Sequence, residues 1–366
     1  MDWKPLNKED TSLYKGIAIL MIVTHNFMHL FPTPKQNEFE FHADRFISLL
    51  NLLRYETENS LQFILSFFGH FGVQIFVFLS AYGLTKKYLL QQPKYWSFIW
   101  QRIIKIYPMF LLAIIIWAFI TGWSDYGLLG PLKMMYWFLD SLIFKLILIS
   151  NFIPDEELIP VGSWWFIPFI FQFYFIFPFL LKLYSRWGSI ALIVLSTLSI
   201  SFAMIVNGKI AGVNIYFTIL GHIPEFCLGL YLAKSDSNRM QIPGGIFVIA
   251  LTVFLLGNIY ETLWHVNHLS FLIILLMIFN VLNPAIKNSG TGKAMLLFFG
   301  SISMPLFLVN DFLHQPFYLL IRGDSTWYLS ILMCFISLVT AVVVSMFLLK
   351  AEKKLTPLII KLTERK

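Results

Sequence analysis

The chain has 366 residues, of which 58% are hydrophobic and only 13% charged, with a mean hydropathy of +0.72. A soluble domain carries about twice that charged fraction, roughly 25%, so the composition excludes a water-soluble globular fold and points to a chain solvated by lipid. The formal net charge of +7 then matters through its placement, because lysine and arginine collect on the cytoplasmic side of a membrane protein.

The first apolar stretch, Tyr14 to Phe31, reads YKGIAILMIVTHNFMHLF. It opens on Lys15 and places His25 inside the run, with His29 one turn later on the same helical face. Along a helix, His25 lies roughly 18 Å beyond Leu13, past the middle of a hydrocarbon core about 30 Å thick. An ionisable side chain at that depth is costly and has a partner or a task. Two readings stand: a catalytic imidazole, or a histidine satisfied by hydrogen bonds inside a helix bundle. The acidic and polar start, Met1–Ser12, leads to no small-residue cleavage site, so the stretch is expected to remain as a span.

Further apolar runs fall at roughly 61–84, 103–121, 128–150, 163–183, 187–206, 213–233, 243–259, 268–284, 296–320 and 327–349. With the N-terminus in the cytoplasm and every run crossing except 128–150, most of the 27 lysines and arginines lie inside. That set includes Lys86, Lys87, Lys94, Arg102, Lys105, Lys182, Arg186, Lys234, Arg239, Lys287, Lys293 and the basic tail from Lys350. The acids Glu38, Glu40, Asp44, Glu56, Glu58 and Asp155–Glu157 then lie outside. If 128–150 crossed as an ordinary span, Lys182, Arg186 and most later basic loops would face outward, against the positive-inside rule. The expected fold is therefore all-α: a polytopic membrane helix bundle of about ten transmembrane helices plus a bent or re-entrant element near 128–150, with both termini cytoplasmic. One integral-membrane domain over 1–366 is expected, with no appended soluble domain. Cys227 and Cys334 both sit in apolar runs, which indicates neither a disulfide framework nor a thiolate metal site.

Polar side chains inside these runs are the candidates for chemistry. The second run reads GHFGVQIFVFLSAYG from Gly69 and carries His70, Gln74 and Ser80, among glycines that permit close helix contact. The third opens WQRIIKIYP, with Arg102 and Lys105 three apart at the cytoplasmic edge. These cations either snorkel and set topology or bind phosphate. The run GSWWFIPFIFQFYFIFPFL from Gly162 contributes Trp165, Gln172 and Tyr174, and GHIPEFCLGLYLAK from Gly221 contributes Glu225, three residues after His222. The late run SISMPLFLVNDFLHQPF from Ser301 carries Asn310 and Asp311. A carboxylate such as Asp311 would fix the tautomer of a histidine base if it reached one.

Taken together, the segments KGIAIL…H, GxxGVxxFxxLS, RxxKIYP, GSWWF…Y…P, IPEFxLGxxLA and S…PLFLVN resemble the acyltransferase family 3 of bacterial membrane O-acyltransferases, in order and over almost the whole chain. The resemblance implies a ten-span core with cytoplasmic termini in the bacterial cytoplasmic (inner) membrane. It also implies transfer of an acyl group, commonly acetyl from acetyl-CoA, to a hydroxyl of an extracytoplasmic glycan, lipid-linked saccharide or related acceptor. It places the family's first-span basic residue on Lys15, its histidine on His25 and its third-span arginine on Arg102. The chain departs from the family where lysine stands for arginine at Lys15, where Ser80-Ala81 replaces Ser-Gly, and where Asn310 replaces a late histidine.

The expected mechanism follows. Lys15, Arg102 and Lys105 hold the phosphates of cytoplasmic acyl-CoA, and His25 takes the proton of the acceptor hydroxyl, with an acyl-histidine intermediate as the variant. Gln74, Ser80 or Tyr174 stabilises the oxyanion, Asp311 supports the base, and His70, Trp165, Gln172, Glu225 and Asn310 line the acceptor side. No metal is required and no nucleic-acid partner is expected; the partners are the lipid bilayer, acyl-CoA and the acceptor. The alternative is a transporter or exporter of a lipid-linked saccharide, with His25, Glu225 and Asp311 relaying protons.

Overall fold

The computed structural model describes residues 2–234, 240–321 and 326–364; Arg239 and the last two residues, counted above among the cytoplasmic cations, lie outside them. Apart from two short ribbons, Asp2–Trp3 with Met240–Gln241 and Lys209–Ile210 with Val213–Asn214, the regular structure is helical. In chain order the helices are α1 (Lys8–Met28), α2 (Ala43–Tyr55), α3 (Ser60–Phe68), α4 (Gly72–Tyr88), α5 (Tyr95–Tyr126), α6 (Gly130–Trp137), α7 (Leu139–Leu146) and α8 (Phe166–Trp187). They continue as α9 (Ser189–Ile205), α10 (Ile223–Lys234), α11 (Gly245–Gly257), α12 (Glu261–Trp264), α13 (Asn267–Asn288), α14 (Gly290–Ser301), α15 (Ser303–Ile321) and α16 (Trp327–Glu364).

Among the described residues, five helical stretches are long and apolar enough to cross a membrane: Thr57–Tyr88, Tyr95–Trp137, Gly162–Trp187, Asn267–Asn288 and Trp327–Pro357. A sixth results if α14 and α15, interrupted at Ile302, count as one broken span. The protein is thus an all-helical, multi-pass membrane protein. Three of the apolar runs form shorter helices than expected: α9 has 17 residues, α10 12 and α11 13, or about 18–26 Å against a core of roughly 30 Å. The run at 213–233 is not continuous. Left-handed Gly208, Ala211 and Gly212 turn the 209–214 ribbon, and Asn214 and Thr218 then cap two single 3-10 turns before α10 begins. Hydropathy alone does not register such interruptions.

The element at 128–150 is bent. It forms α6 and α7, eight residues each, separated at Phe138, whose φ of −104° and ψ of 19° are not helical. The buried Lys145 of α7 donates to the backbone carbonyls of Glu156 and Glu157, which fastens the acidic turn Asp155–Glu157 to this element.

The chain divides into two compact units, 1–92 with 176–301 and 93–175 with 302–366, the boundary falling within α8. In the first unit, α1 packs against α3, α4 and α14, and Leu13, Tyr14 and Ala18 join Phe71, Ile75, Phe78 and Leu272 in its core. The first turn of α1 carries a capping box: Asn7 Oδ1 accepts from the Asp10 N–H at 2.9 Å, and Asp10 Oδ2 accepts from the Asn7 N–H at 3.0 Å. Lys287 Nζ lies 2.6 Å from Asp10 Oδ1 and Lys293 Nζ lies 3.0 Å from Glu9. Asn283 also donates to Asp10 at 2.7 Å. Burial alone would raise the Asp10 carboxyl, but these donors together hold it below its ordinary range.

The segment 32–60 is ordered over the same unit. Phe46 and Leu49 of α2 bury themselves against Phe63 and Phe67 of α3. Trp264 donates to the Asn37 carbonyl, Asn214 donates to the Phe39 carbonyl, and Phe39 stacks on Phe217 with centroids 4.0 Å apart.

In the second unit, α15 packs against α16 and α5, and α6 folds back on α5. Trp164 stands at its centre. Its ring meets Phe110 and Trp117 edge-on, and its indole N–H donates to the Leu308 carbonyl at 2.8 Å, which satisfies the one polar atom of a buried indole.

Candidate active site

In the first unit the site is built around the last turns of α1. His25 is 6% exposed, and its Nδ1 lies 2.6 Å from the Ser66 carbonyl oxygen. A carbonyl only accepts, so Nδ1 carries a proton, and in the neutral imidazole Nε2 then keeps its lone pair. Ser66 lies in the last turn of α3, where helix carbonyls lose their intrahelical partners, and the 3-10 turn Gly69–Phe71 breaks the ladder there. The break in the second run thus creates the acceptor that orients His25.

Close approach of α1 to the segment Gly69–Gly72 depends on glycine. A Cβ on Gly69 would lie 2.5 Å from the Met21 carbonyl oxygen and 2.6 Å from His25 Cβ, and one on Gly72 would lie 2.5 Å from the Ala18 carbonyl oxygen. The rings of His29 and His70 stand 5.5 and 5.6 Å from that of His25; His70 is buried and His29 exposed. One turn beyond His70, Gln74 is buried, and its Oε1 has no partner among the described residues. Ser80 is about 9 Å further along α4 and half-buried. Lys15 is half-buried near the ion-paired end of α1. The arrangement is a neutral imidazole, fixed in one tautomer among rings, with a lone pair to take a proton.

In the second unit, Arg102 of α5 places its guanidinium 5.3 Å from the Phe98 ring centre and 5.7 Å from that of Tyr174. Its Nε is buried with no hydrogen-bond partner among the described residues. The guanidinium also donates to the Tyr174 hydroxyl, and the rest of its planar fork is left for an anion. Lys105, three residues on, is exposed, so the two cations do not share one setting.

Asp311 and Asn310 have local structural partners. Asp311 Oδ2 accepts from the Ser163 N–H at 2.8 Å and so caps the Gly162–Trp165 turn that opens α8, a carboxylate at a helix start. The orienter of His25 is the Ser66 carbonyl. Asn310 is buried and turns its amide onto its own helix, donating to the Leu306 and Phe307 carbonyls. The Trp165 carbonyl accepts from Asn151, and Gln172 is buried in α8. Glu225 is 1% exposed and lies beside His222 and His268, a grouping the sequence hinted at only through the spacing of His222 and Glu225.

Four histidines buried among the described residues were not among the expected site residues: His222, His265, His268 and His314. His268 opens α13, where it reads as a boundary residue of an apolar run. His314 in α15 meets Ser337 Oγ at 3.2 Å; it lies one turn after Asn310, and its place inside an apolar run was the available signal.

Searches of curated proteins and of solved structures returned no match. A family model described as an acyltransferase domain matches residues 12–350, and by that match over nearly its whole length the protein belongs to this acyltransferase family.

Proposed function

We propose that the protein is a membrane O-acyltransferase that moves an acyl group, acetyl in the simplest case, from acyl-CoA to a hydroxyl of an extracytoplasmic glycan or lipid-linked saccharide, in a bacterial cytoplasmic membrane. The observation that carries this reading is the fixed tautomer of His25. With Nδ1–H committed to the Ser66 carbonyl, Nε2 takes the proton of the acceptor hydroxyl as its oxygen attacks the thioester carbonyl. The C–S bond then breaks, and the imidazolium returns the proton to the departing thiolate. Arg102, framed by Phe98 and Tyr174, is assigned to the phosphates of the donor.

The direct test is incorporation of labelled acetyl from acetyl-CoA into an acceptor saccharide by purified protein. Transfer supports the assignment, and its absence with every acyl-CoA and acceptor hydroxyl supplied contradicts it. The donor role is tested separately by Arg102→Ala, which should weaken acyl-CoA binding at least about tenfold, with Arg102→Lys intermediate because lysine lacks the bidentate fork. Unchanged affinity in the alanine variant would return Arg102 to a topological role.

A further inference from the structure

We infer that His222, Glu225 and His268 form a binding site for a zinc-type divalent cation. The ligand-capable atoms of the three side chains all lie within 4.8 Å of one another, in the first unit, and all three residues are buried.

The orientation of the imidazoles carries the argument. His222 Nε2 lies 3.0 Å from the Tyr216 carbonyl oxygen, so that nitrogen donates and Nδ1 faces Glu225 Oε1 at 3.8 Å. His268 faces the Glu38 backbone carbonyl with one nitrogen, which leaves its Nε2 as the acceptor, buried. Glu225 Oε2 is likewise buried, and neither atom has a partner among the described residues. Two acceptor atoms, His268 Nε2 and Glu225 Oε2, are thus buried beside the His222 imidazole without a hydrogen-bond donor among the described residues, and leaving buried acceptors unsatisfied is expensive. A cation among them removes the conflict.

The donor set also selects the cation. Two imidazoles and one carboxylate are a known three-ligand set for zinc, with a fourth position left for water or a substrate oxygen. Both imidazoles donate their far nitrogen to a backbone carbonyl, the outer support that metal-bound histidines use. Coordination at about 2.0–2.2 Å puts ligand atoms roughly 3.4 Å apart, so the three side chains, now within 4.8 Å of one another, would close in on a bound ion. The site would join the first turns of α10 and α13 to the segment holding Glu38, and it departs from the expectation that no metal is needed. Its logic is independent of the acyl-transfer reading.

The experiment uses the purified full-length protein with any affinity tag removed. It is stripped with a chelator, incubated with micromolar zinc, freed of excess by gel filtration, and analysed by mass spectrometry and thermal melting. The expected result is about one zinc per chain, a rise in melting temperature on zinc addition, and reversal by chelator. Glu225→Gln, which keeps shape and removes the charge, and His268→Ala should each lower zinc affinity at least about tenfold. Wild-type protein that retains no zinc and melts indifferently to it overturns the proposal, with or without the variants. Undiminished zinc in both variants overturns it equally, since the metal would then lie elsewhere.

Discussion

The two ends of α1 are held by different physics. At its start, Asp10 collects Lys287, Asn283 and the Asn7 N–H, and Glu9 pairs with Lys293. At its far end no ion pair is present among the described residues; Gly69 and Gly72 let the backbones meet, and one short hydrogen bond to Ser66 fixes the imidazole. The first end gains from charge, and its strength depends on pH. The second depends on close packing and that one hydrogen bond, and leaves His25 without a counter-charge, as a neutral base requires. Damage at the charged end should change stability alone, whereas damage at the other should change chemistry as well.

The largest effect should come from crowding the uncharged end. Gly69→Ala sets a methyl against the Met21 carbonyl and His25 Cβ, which should cost about 1–3 kcal/mol and, by displacing the imidazole, lower turnover by up to about 100-fold. Gly83→Ala in α4 meets nothing within 4 Å and should be neutral or stabilising by up to roughly 1 kcal/mol. Equal behaviour of the two variants in melting and transfer assays would remove the special status of Gly69.

At the ion-paired end, Asp10→Asn should lower stability by about 1.5 kcal/mol and leave the turnover of folded protein unchanged. The folded-state pKa of Asp10 is depressed, so its contribution is complete above the ordinary carboxylate value near 3.9 and is lost as pH falls through the lower folded value. Thermal melts of wild type and variant should differ by a constant amount above about pH 5 and converge below about pH 4. A gap that persists into acid would mean that something other than the Asp10 charge is at work.

The smallest effect should come from His29. It is exposed, although its ring stacks on His25, and His29→Gln should change turnover by no more than about twofold, the scale of an ordinary surface change. A large loss would make the two histidines a working pair.

The side chains were more legible in the sequence than their surroundings. His25 and Arg102 stood out because an ionisable group in an apolar run is rare and costly. The Ser66 carbonyl could not stand out, since every residue has one, and only the 3-10 break at Gly69–Phe71 makes this one available. Lys105 shows the limit of spacing arguments: three residues from Arg102 on one helix, it is exposed while Arg102 turns to Phe98 and Tyr174. Asp311 shows another, because a carboxylate deep in a run reads as a partner for a base, yet it caps the turn at Ser163. In the fold, helical, multi-pass character followed from composition. The interruptions within 187–259 did not, because hydropathy averages over the residues that break the hydrogen-bond ladder, such as Gly208, Ala211, Gly212 and the capping Asn214 and Thr218.

The most direct test of the central claim is acyl-transfer turnover in His25→Gln, measured beside acyl-CoA affinity and melting temperature. Glutamine keeps a polar group that can still donate to the Ser66 carbonyl, but it cannot take a proton. If His25 is the base, turnover falls at least about 100-fold while affinity and melting temperature stay near wild type. Near-normal turnover in His25→Gln would contradict the assignment and leave His25 as a packing residue.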